Sequence, residues 1–232
     1  PRGNSCLEKE IFRKLLNKKL LSSKKYNSFF LDIGTPLSLK DSQLMIPKWK
    51  RKSALLLDRD GVINFDSPSY IKNPEEWRPI PGSIEAIARI KAKGWKVVIA
   101  TNQSAVGRGI IQLTDLFDIH AKLLNCVRKL GSDLDGIFFC PHRPSQECAC
   151  RKPKPGMFQE ITKRFGVLGK YCITVGDSLR DLKAAEAISA RSFLVLTGNG
   201  GKTLKEHKSL HNLMPDKVEI ENDLSSVAEK IS

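Results

Sequence analysis

Two acids one residue apart, Asp58 and Asp60 in Leu57-Asp58-Arg59-Asp60-Gly61-Val62, follow directly on the apolar run Ala54 to Leu57. A buried strand that ends on two carboxylates cannot leave both uncompensated. One chemistry for such a pair makes Asp58 a nucleophile and Asp60 a general acid and base, with Mg²⁺ neutralising the local charge. Acids before glycine also make ordinary turns, so the pair alone decides little. Three further patterns accompany it. Thr101-Asn102-Gln103-Ser104 offers hydroxyl and backbone N–H groups able to hold a phosphoryl group. Arg151-Lys152-Pro153 brings fixed positive charge. Gly176-Asp177-Ser178-Leu179-Arg180-Asp181 adds a third metal-binding carboxylate and, one helical turn later, a fourth acid on the same face. Singly they read as a helix cap, a solvated lysine and an N-cap. Together, in this order, they outline one phosphate site.

A second constellation, Cys140-x-His142 and Cys148-x-Cys150, places three thiols and an imidazole within eleven residues. Such a set can close tetrahedrally on zinc, and four protein ligands leave no open position for substrate, so the site would be structural. Free thiols or a disulfide are the plainer readings. Cys6, Cys126 and Cys172 are scattered, unlike a secreted disulfide framework, and read as reduced thiols in a cytoplasmic protein. His120, His207 and His211 read as helix-face or surface residues.

The elements that must carry these groups alternate short apolar runs with helical stretches, the pattern of parallel βαβ units. Strands are expected at Ala54 to Leu57, Trp95 to Ala100, Gly136 to Phe139, Tyr171 to Val175 and Ser192 to Leu196. Helices are expected at Ser83 to Lys93, Thr114 to Leu130, Met157 to Phe165 and Leu179 to Ile188. Every motif then falls at the carboxyl end of a strand, where open α/β sheets bind ligands.

The 232 residues are 41% hydrophobic and 28% charged, which excludes disorder, fibrous repeats and a staple-dependent miniprotein. The longest uncharged apolar runs fall far short of the roughly 20 residues of a membrane span. The net charge of +14 invites nucleic acid as a partner. However, residues 1–52 hold 13 Lys/Arg against 4 Asp/Glu, so much of the excess is N-terminal, without aromatic interleaving. No nucleic-acid partner is expected.

On these residues the chain resembles the haloacid dehalogenase-like phosphatases, whose four motifs match Asp58-x-Asp60, Thr101, Lys152 and Asp177-x-x-x-Asp181. The stretches 57–64, Thr101 to Ser104, Cys140-Pro141-His142 and Cys148 to Met157 resemble the D-glycero-D-manno-heptose 1,7-bisphosphate 7-phosphatases. The resemblance implies a three-layer α/β Rossmann-like fold with a parallel sheet, no large cap and a zinc-stabilised loop. It implies Mg²⁺ on Asp58, the Asp60 carbonyl and Asp177, with Asp181 in support, and zinc on Cys140, His142, Cys148 and Cys150. Removal of the 7-phosphate would pass through an aspartyl phosphate on Asp58, with Lys152 and Thr101 stabilising the phosphoryl oxygens. The family register favours Lys152 over Lys154, and Arg151 as a substrate contact. Arg59, Asn102, Gln103 and Ser104 are further substrate candidates, as are Asp66 and Tyr70 on the overhanging loop 64–79. The five residues between His142 and Cys148 imply an open site. Histidinol-phosphate phosphatase, nucleic-acid end phosphatase and non-catalytic zinc adaptor are the alternatives.

Glu8 to Leu21 reads as a basic amphipathic helix. Phe29-Phe30-Leu31-Asp32-Ile33-Gly34-Thr35-Pro36 reads as a short strand and turn, and resembles the end of sugar-phosphate nucleotidyltransferases, in which Asp32 would be a metal-binding aspartate. The division expected is a nucleotidyltransferase remnant over 1–46, a linker over 47–52, the phosphatase domain over 53–200 and its tail over 201–232. A fusion of this kind would be part of a longer chain and tie the phosphatase to nucleotide-activated heptose for bacterial surface glycans.

Overall fold

The computed structural model describes residues 7–23, 30–50, 54–206 and 218–231. Strand β1 (Ala54–Leu57) is buried along its whole length, and its side chains alternate between two cores. Leu55 and Leu57 face a core shared with α3 (Ser83–Ala92), α5 (Leu113–Lys129) and α9 (Leu224–Lys230). Ala54 and Leu56 face α6 (Gly156–Phe165) and α7 (Leu179–Glu186). A strand buried on both faces is an uninterrupted apolar run, which is how Ala-Leu-Leu-Leu reads.

Around β1 lie β2 (Lys96–Asn102), β3 (Gly136–Cys140), β4 (Cys172–Gly176), β5 (Arg191–Val195) and β6 (Val218–Glu221), all parallel, in the order β3-β2-β1-β4-β5-β6. The three-layer architecture and the five expected strands agree with the sequence to within a residue or two at their ends. Between β1 and α3 the chain forms only a loop, pinned by isolated bridges of Asn64 to Asp60 and Pro79, so no large cap intervenes there.

Two expectations need correction, and two segments gain detail. The C-terminal tail is part of the fold: β6 extends the sheet beside β5, and Leu224, Val227 and Ala228 enter the main core. The sixth strand, Val-Glu-Ile-Glu at the sheet edge, is too short and acidic to announce itself. The N-terminal helix is shorter than expected, a π-helical turn over Leu7–Ile11 running into α1 (Phe12–Asn17). Residues 30–33 form no strand. Instead Thr35 and Ser38 exchange hydrogen bonds that open α2 (Pro36–Lys50), with proline at its first position, and α2 takes up residues 47–50 of the expected linker. Cys6, Phe29, His207 and His211 lie outside the described residues, as do residues 51 and 52 of the linker and residue 53 of the phosphatase domain. No helix among the described residues is long and apolar enough to cross a membrane.

Candidate active site

The carboxyl ends of β1, β2 and β4 are neighbours in the sheet, and the residues that follow them converge. The Asp58 N–H donates to the Val175 carbonyl (2.9 Å), continuing the β1–β4 ladder one residue past the strand. This places the Asp58 carboxyl at the sheet's edge, where it meets the Lys152 ammonium at 3.1 Å. Lys152 is 2% exposed, contacts Asp181 Oδ1 at 2.6 Å and donates to the Ala100 carbonyl at 2.7 Å. Burial works against its charge, but Asp181 and Asp58 hold its pKa above the usual lysine value. Lys154, its rival, points away to the Glu147 carbonyl and is exposed.

Asp58, Asp177 and Asp181 each bring a carboxylate oxygen within 4.8 Å of the others. Burial raises Asp58 to about 8, Lys152 opposing and Asp181, Asp177 and Asp60 adding to the rise. Asp177 is pushed up to about 6 by burial and by Asp181, against hydrogen bonds from Asn199 N (2.8 Å) and Nδ2 (3.1 Å). Asp181 is lowered: burial opposes, but Lys152 dominates its neighbours, and Ser178, which caps α7, donates to its Oδ2 from N (3.1 Å) and Oγ (2.5 Å). Two carboxylates pushed toward protonation are two carboxylates short of positive charge. The wall beside them is shaped to the same end. A Cβ at Gly61 (φ +80°) would lie 2.1 Å from Asp177 Oδ2, and one at Gly198 (φ +55°) 2.3 Å from it. The two glycines thus let the Asp177 carboxyl pack against backbone, and the clustered carboxylate oxygens fit a small hard cation such as Mg²⁺.

Asp60 is held differently. Arg59 Nε donates to Oδ1 (3.0 Å) and Nη2 to Oδ2 (2.9 Å), while Asn64 Nδ2 (2.9 Å) and Gln103 Nε2 (2.8 Å) supply two more donors. Burial opposes ionisation, but Arg59 and these hydrogen bonds hold its pKa below the usual carboxylate range.

Three of the substrate candidates, Arg59, Asn102 and Gln103, line the cavity with side chains that are also engaged by their neighbours. Arg59 borders the cavity, but its side chain is 1% exposed and its guanidinium is engaged by Asp60 and His120. Asn102 spends both polar ends on the Lys152 backbone, donating to its carbonyl (3.0 Å) and accepting from its N–H (3.2 Å). Gln103 serves Asp60 and Thr101 Oγ1 (3.0 Å). These three side chains are braces for the acids and the lysine. Thr101, Ser104, Asp66, Tyr70 and Arg151 line the same cavity of about 380 Å³. Arg151 is steadied by the His142 carbonyl (3.3 Å), and Asp66 accepts from Asn199 (3.2 Å).

The sequence reading missed Asn199, Arg108, Arg180 and His120. Asn199 had a signal: Gly198-Asn199-Gly200-Gly201 follows β5 at the edge that carries the other motifs. His120 is 5% exposed, not a surface residue, because it sits four residues after Leu116 and three before Leu123 on the buried face of α5. Arg108 and Arg180 are exposed on the cavity rim, and single arginines carry no spacing signal.

Beside this cavity, Cys140 at the end of β3 meets His142 Nδ1 at 3.6 Å and the sulfurs of Cys148 and Cys150 at 3.6 and 3.4 Å. Cys150 also lies 3.3 Å from His142 Nδ1 and 3.5 Å from Cys148 Sγ. Zinc–sulfur bonds of about 2.3 Å in a tetrahedron imply sulfur–sulfur edges of roughly 3.8 Å, so the four groups fit zinc with little adjustment. Burial pushes the Cys140 thiol up to about 12. A cation would relieve that cost.

A family model described as haloacid dehalogenase-like hydrolase matches residues 8–189. The chain is 45% identical to the D-glycero-beta-D-manno-heptose-1,7-bisphosphate 7-phosphatase of Bordetella bronchiseptica over 177 residues, 76% of this chain and 96% of the relative. It is 47% identical to the protein of the same name from Pseudomonas aeruginosa, over the same shares of the two chains. Among solved structures, the B. bronchiseptica D,D-heptose 1,7-bisphosphate phosphatase with magnesium and phosphate superposes with a TM-score of 0.72 at 45% identity, covering 77% of this chain and 97% of that one. The D,D-heptose 1,7-bisphosphate phosphatase of Burkholderia thailandensis gives 0.60 at 38% identity, covering 78% and 98%.

Proposed function

Since the chain belongs to the haloacid dehalogenase-like hydrolases, we propose that it is a Mg²⁺-dependent phosphatase removing the 7-phosphate of D-glycero-D-manno-heptose 1,7-bisphosphate. The observation that carries this reading is the Asp58 carboxyl, set 3.1 Å from a buried lysine and inside a carboxylate cluster fit for Mg²⁺, in a chain 45% identical to a named heptose bisphosphate phosphatase. The zinc-adaptor alternative has no need of that cluster.

Asp58, Asp177 and the Asp60 carbonyl would hold the Mg²⁺, which supplies the charge neutralisation that lets a phosphate dianion approach a carboxylate. Asp58 attacks phosphorus, forming the Asp58–phosphoryl bond as the bond to the sugar oxygen breaks, and Asp60 gives that oxygen a proton. In the free protein Asp60 is held ionised; a phosphate dianion beside it raises its proton affinity at the moment the acid is needed. Water then attacks the aspartyl phosphate, Asp60 takes its proton, and phosphate leaves with Asp58 restored. Lys152 and the Thr101 hydroxyl stabilise the transferring oxygens. Asp181 keeps Lys152 charged and in place. Arg151, Ser104, Asp66 and Tyr70 are the contacts for the rest of the sugar phosphate.

The thiol–imidazole loop holds a structural zinc in this reading, and its ligating thiols call for a reducing, cytoplasmic setting. Residues 1–46 are read as the end of a nucleotidyltransferase domain. The exposure of Leu16, Phe30, Leu37 and Leu44 supports a segment whose apolar faces belong against another body.

Phosphate release with Mg²⁺ from the β and α heptose 1,7-bisphosphates and from histidinol phosphate, side by side, tests the reading. A heptose bisphosphate should be the best substrate, the β anomer by the names of the relatives. Preference for the α anomer would point to the nucleotide-activated route instead, and preference for histidinol phosphate would overturn the sugar.

A further inference from the structure

Arg59 folds back onto the residue next to it in sequence, and its far side meets α5. Nε and Nη2 fork onto Asp60, while Nη1 lies 3.3 Å from His120 Nε2, its one hydrogen-bond partner among the described residues. A guanidinium does not release its proton, so Nη1 donates. His120 Nε2 must then accept, which makes the ring neutral with its hydrogen on Nδ1. The charged groups facing His120 agree: burial and then Arg59 drive its pKa down to about 3, Asp60 opposing only in part. A ring so far from titrating near neutrality is no proton carrier. It is held in turn by Phe139 of β3, whose ring centroid is 6.0 Å away at 58°.

We propose that His120 is a positioning residue for the proton-transfer step: as a neutral acceptor it fixes the plane of the Arg59 guanidinium, and Arg59 fixes which edge of the Asp60 carboxyl meets the leaving oxygen. The inference rests on the phosphatase reading above. Asp60 takes two of its four hydrogen bonds from Arg59, so a guanidinium free to rotate would leave the carboxyl held only by Asn64 and Gln103. Helix α5 supplies none of the groups proposed to touch substrate, yet through His120 it orients the acid.

The dependence on the leaving group separates this role from a merely structural one. A sugar alkoxide needs the proton from Asp60, whereas 4-nitrophenolate leaves without one. Wild type, His120→Leu and His120→Gln are compared on heptose 1,7-bisphosphate and on 4-nitrophenyl phosphate. His120→Leu should lower kcat on the bisphosphate about tenfold or more with KM within about twofold, and change the pre-steady-state burst of nitrophenolate, which reports phosphoryl transfer to Asp58 before Asp60 is needed as base, by less than about twofold. His120→Gln, which keeps an acceptor, should restore most of the loss. If His120→Leu does not fold, Arg59→Lys must show the same selective loss. Equal losses in kcat on the bisphosphate and in the nitrophenolate burst, or none on the bisphosphate, overturn the inference. Absence of turnover of either substrate by the wild type sinks the phosphatase reading and the inference together.

Discussion

Without Mg²⁺, Asp58 should cost the folded protein stability between pH 6.5 and 8. Its folded pKa is about 8 against 3.8 for an ordinary aspartate, so across that window the native chain holds a proton that the unfolded chain has released. A carboxyl raised on folding stabilises the native state while protonated, and that contribution is lost as pH climbs through the folded pKa. Its titration between pH 6.5 and 8 removes stability on the order of 1–2 kcal/mol. His120 works the other way. Lowered to about 3 in the fold from 6.5, it returns a smaller amount over the same window as the unfolded ring sheds its proton. Asp177, raised to about 6, has largely titrated before the window opens. Asp60, Asp181 and Glu219 are lowered on folding, so their contribution is fully present above their unfolded values and flat here. The Asp58 contribution, taken as wild type minus Asp58→Asn, is expected to be a fall on the order of 1–2 kcal/mol. Urea unfolding of zinc-loaded wild type and Asp58→Asn side by side without Mg²⁺ measures it as the difference between their midpoint shifts with pH, in which the proton uptake of the thiol ligands on unfolding cancels. Saturating Mg²⁺ should abolish the fall, because the cation replaces the proton on Asp58. A pH dependence of stability that is the same in Asp58→Asn as in the wild type would refute the assignment of the buried charge.

Lys152→Met leaves Asp58 and Asp181 without their shared cation; it should cost about 3–5 kcal/mol in urea unfolding without Mg²⁺ and remove turnover, whereas Lys154→Met should leave both near wild type. Gly61→Ala forces a Cβ to within 2.1 Å of Asp177 Oδ2 at φ +80°, so the Mg²⁺ concentration for half-maximal activity should rise about tenfold or more. An unchanged Mg²⁺ requirement would place the ion elsewhere. Elemental analysis after purification without chelator should find about one zinc per chain, and Cys148→Ser should lower both the zinc content and the melting temperature.

The reach and the limit of the sequence are both visible at β1. Four consecutive buried aliphatics can only be a strand covered on both faces, and the acids after them had to emerge at a strand end. The same logic located Thr101 and Asp177, because hydrophobic runs mark where strands stop, whereas Lys152, in the loop between β3 and α6, was picked out by its register in the resembled family. It could not tell which polar side chains at those ends face the cavity and which brace their neighbours. Asn102 and Gln103 looked like phosphate donors, but their amides are spent on Lys152 and Asp60, a choice made by a loop fifty residues downstream and an acid forty-three residues upstream. Likewise His120 sits on an apolar stripe that the sequence shows plainly, but its partner, a buried arginine at position 59, exists only once α5 has packed against the sheet.

The paired hydrogen bonds between the Asn102 side chain and the Lys152 backbone have a bearing on how such a chain can change. They tether the lysine to the end of β2, downstream of the thiol–imidazole loop, independently of what that loop does between Cys140 and Cys150. The loop is thereby an exchangeable part. Residues can be inserted, lost or replaced between His142 and Cys148, remodelling the mouth and its taste in sugars, while the ammonium beside Asp58 stays at its station. One amide side chain thus separates the part that can drift from the part that cannot.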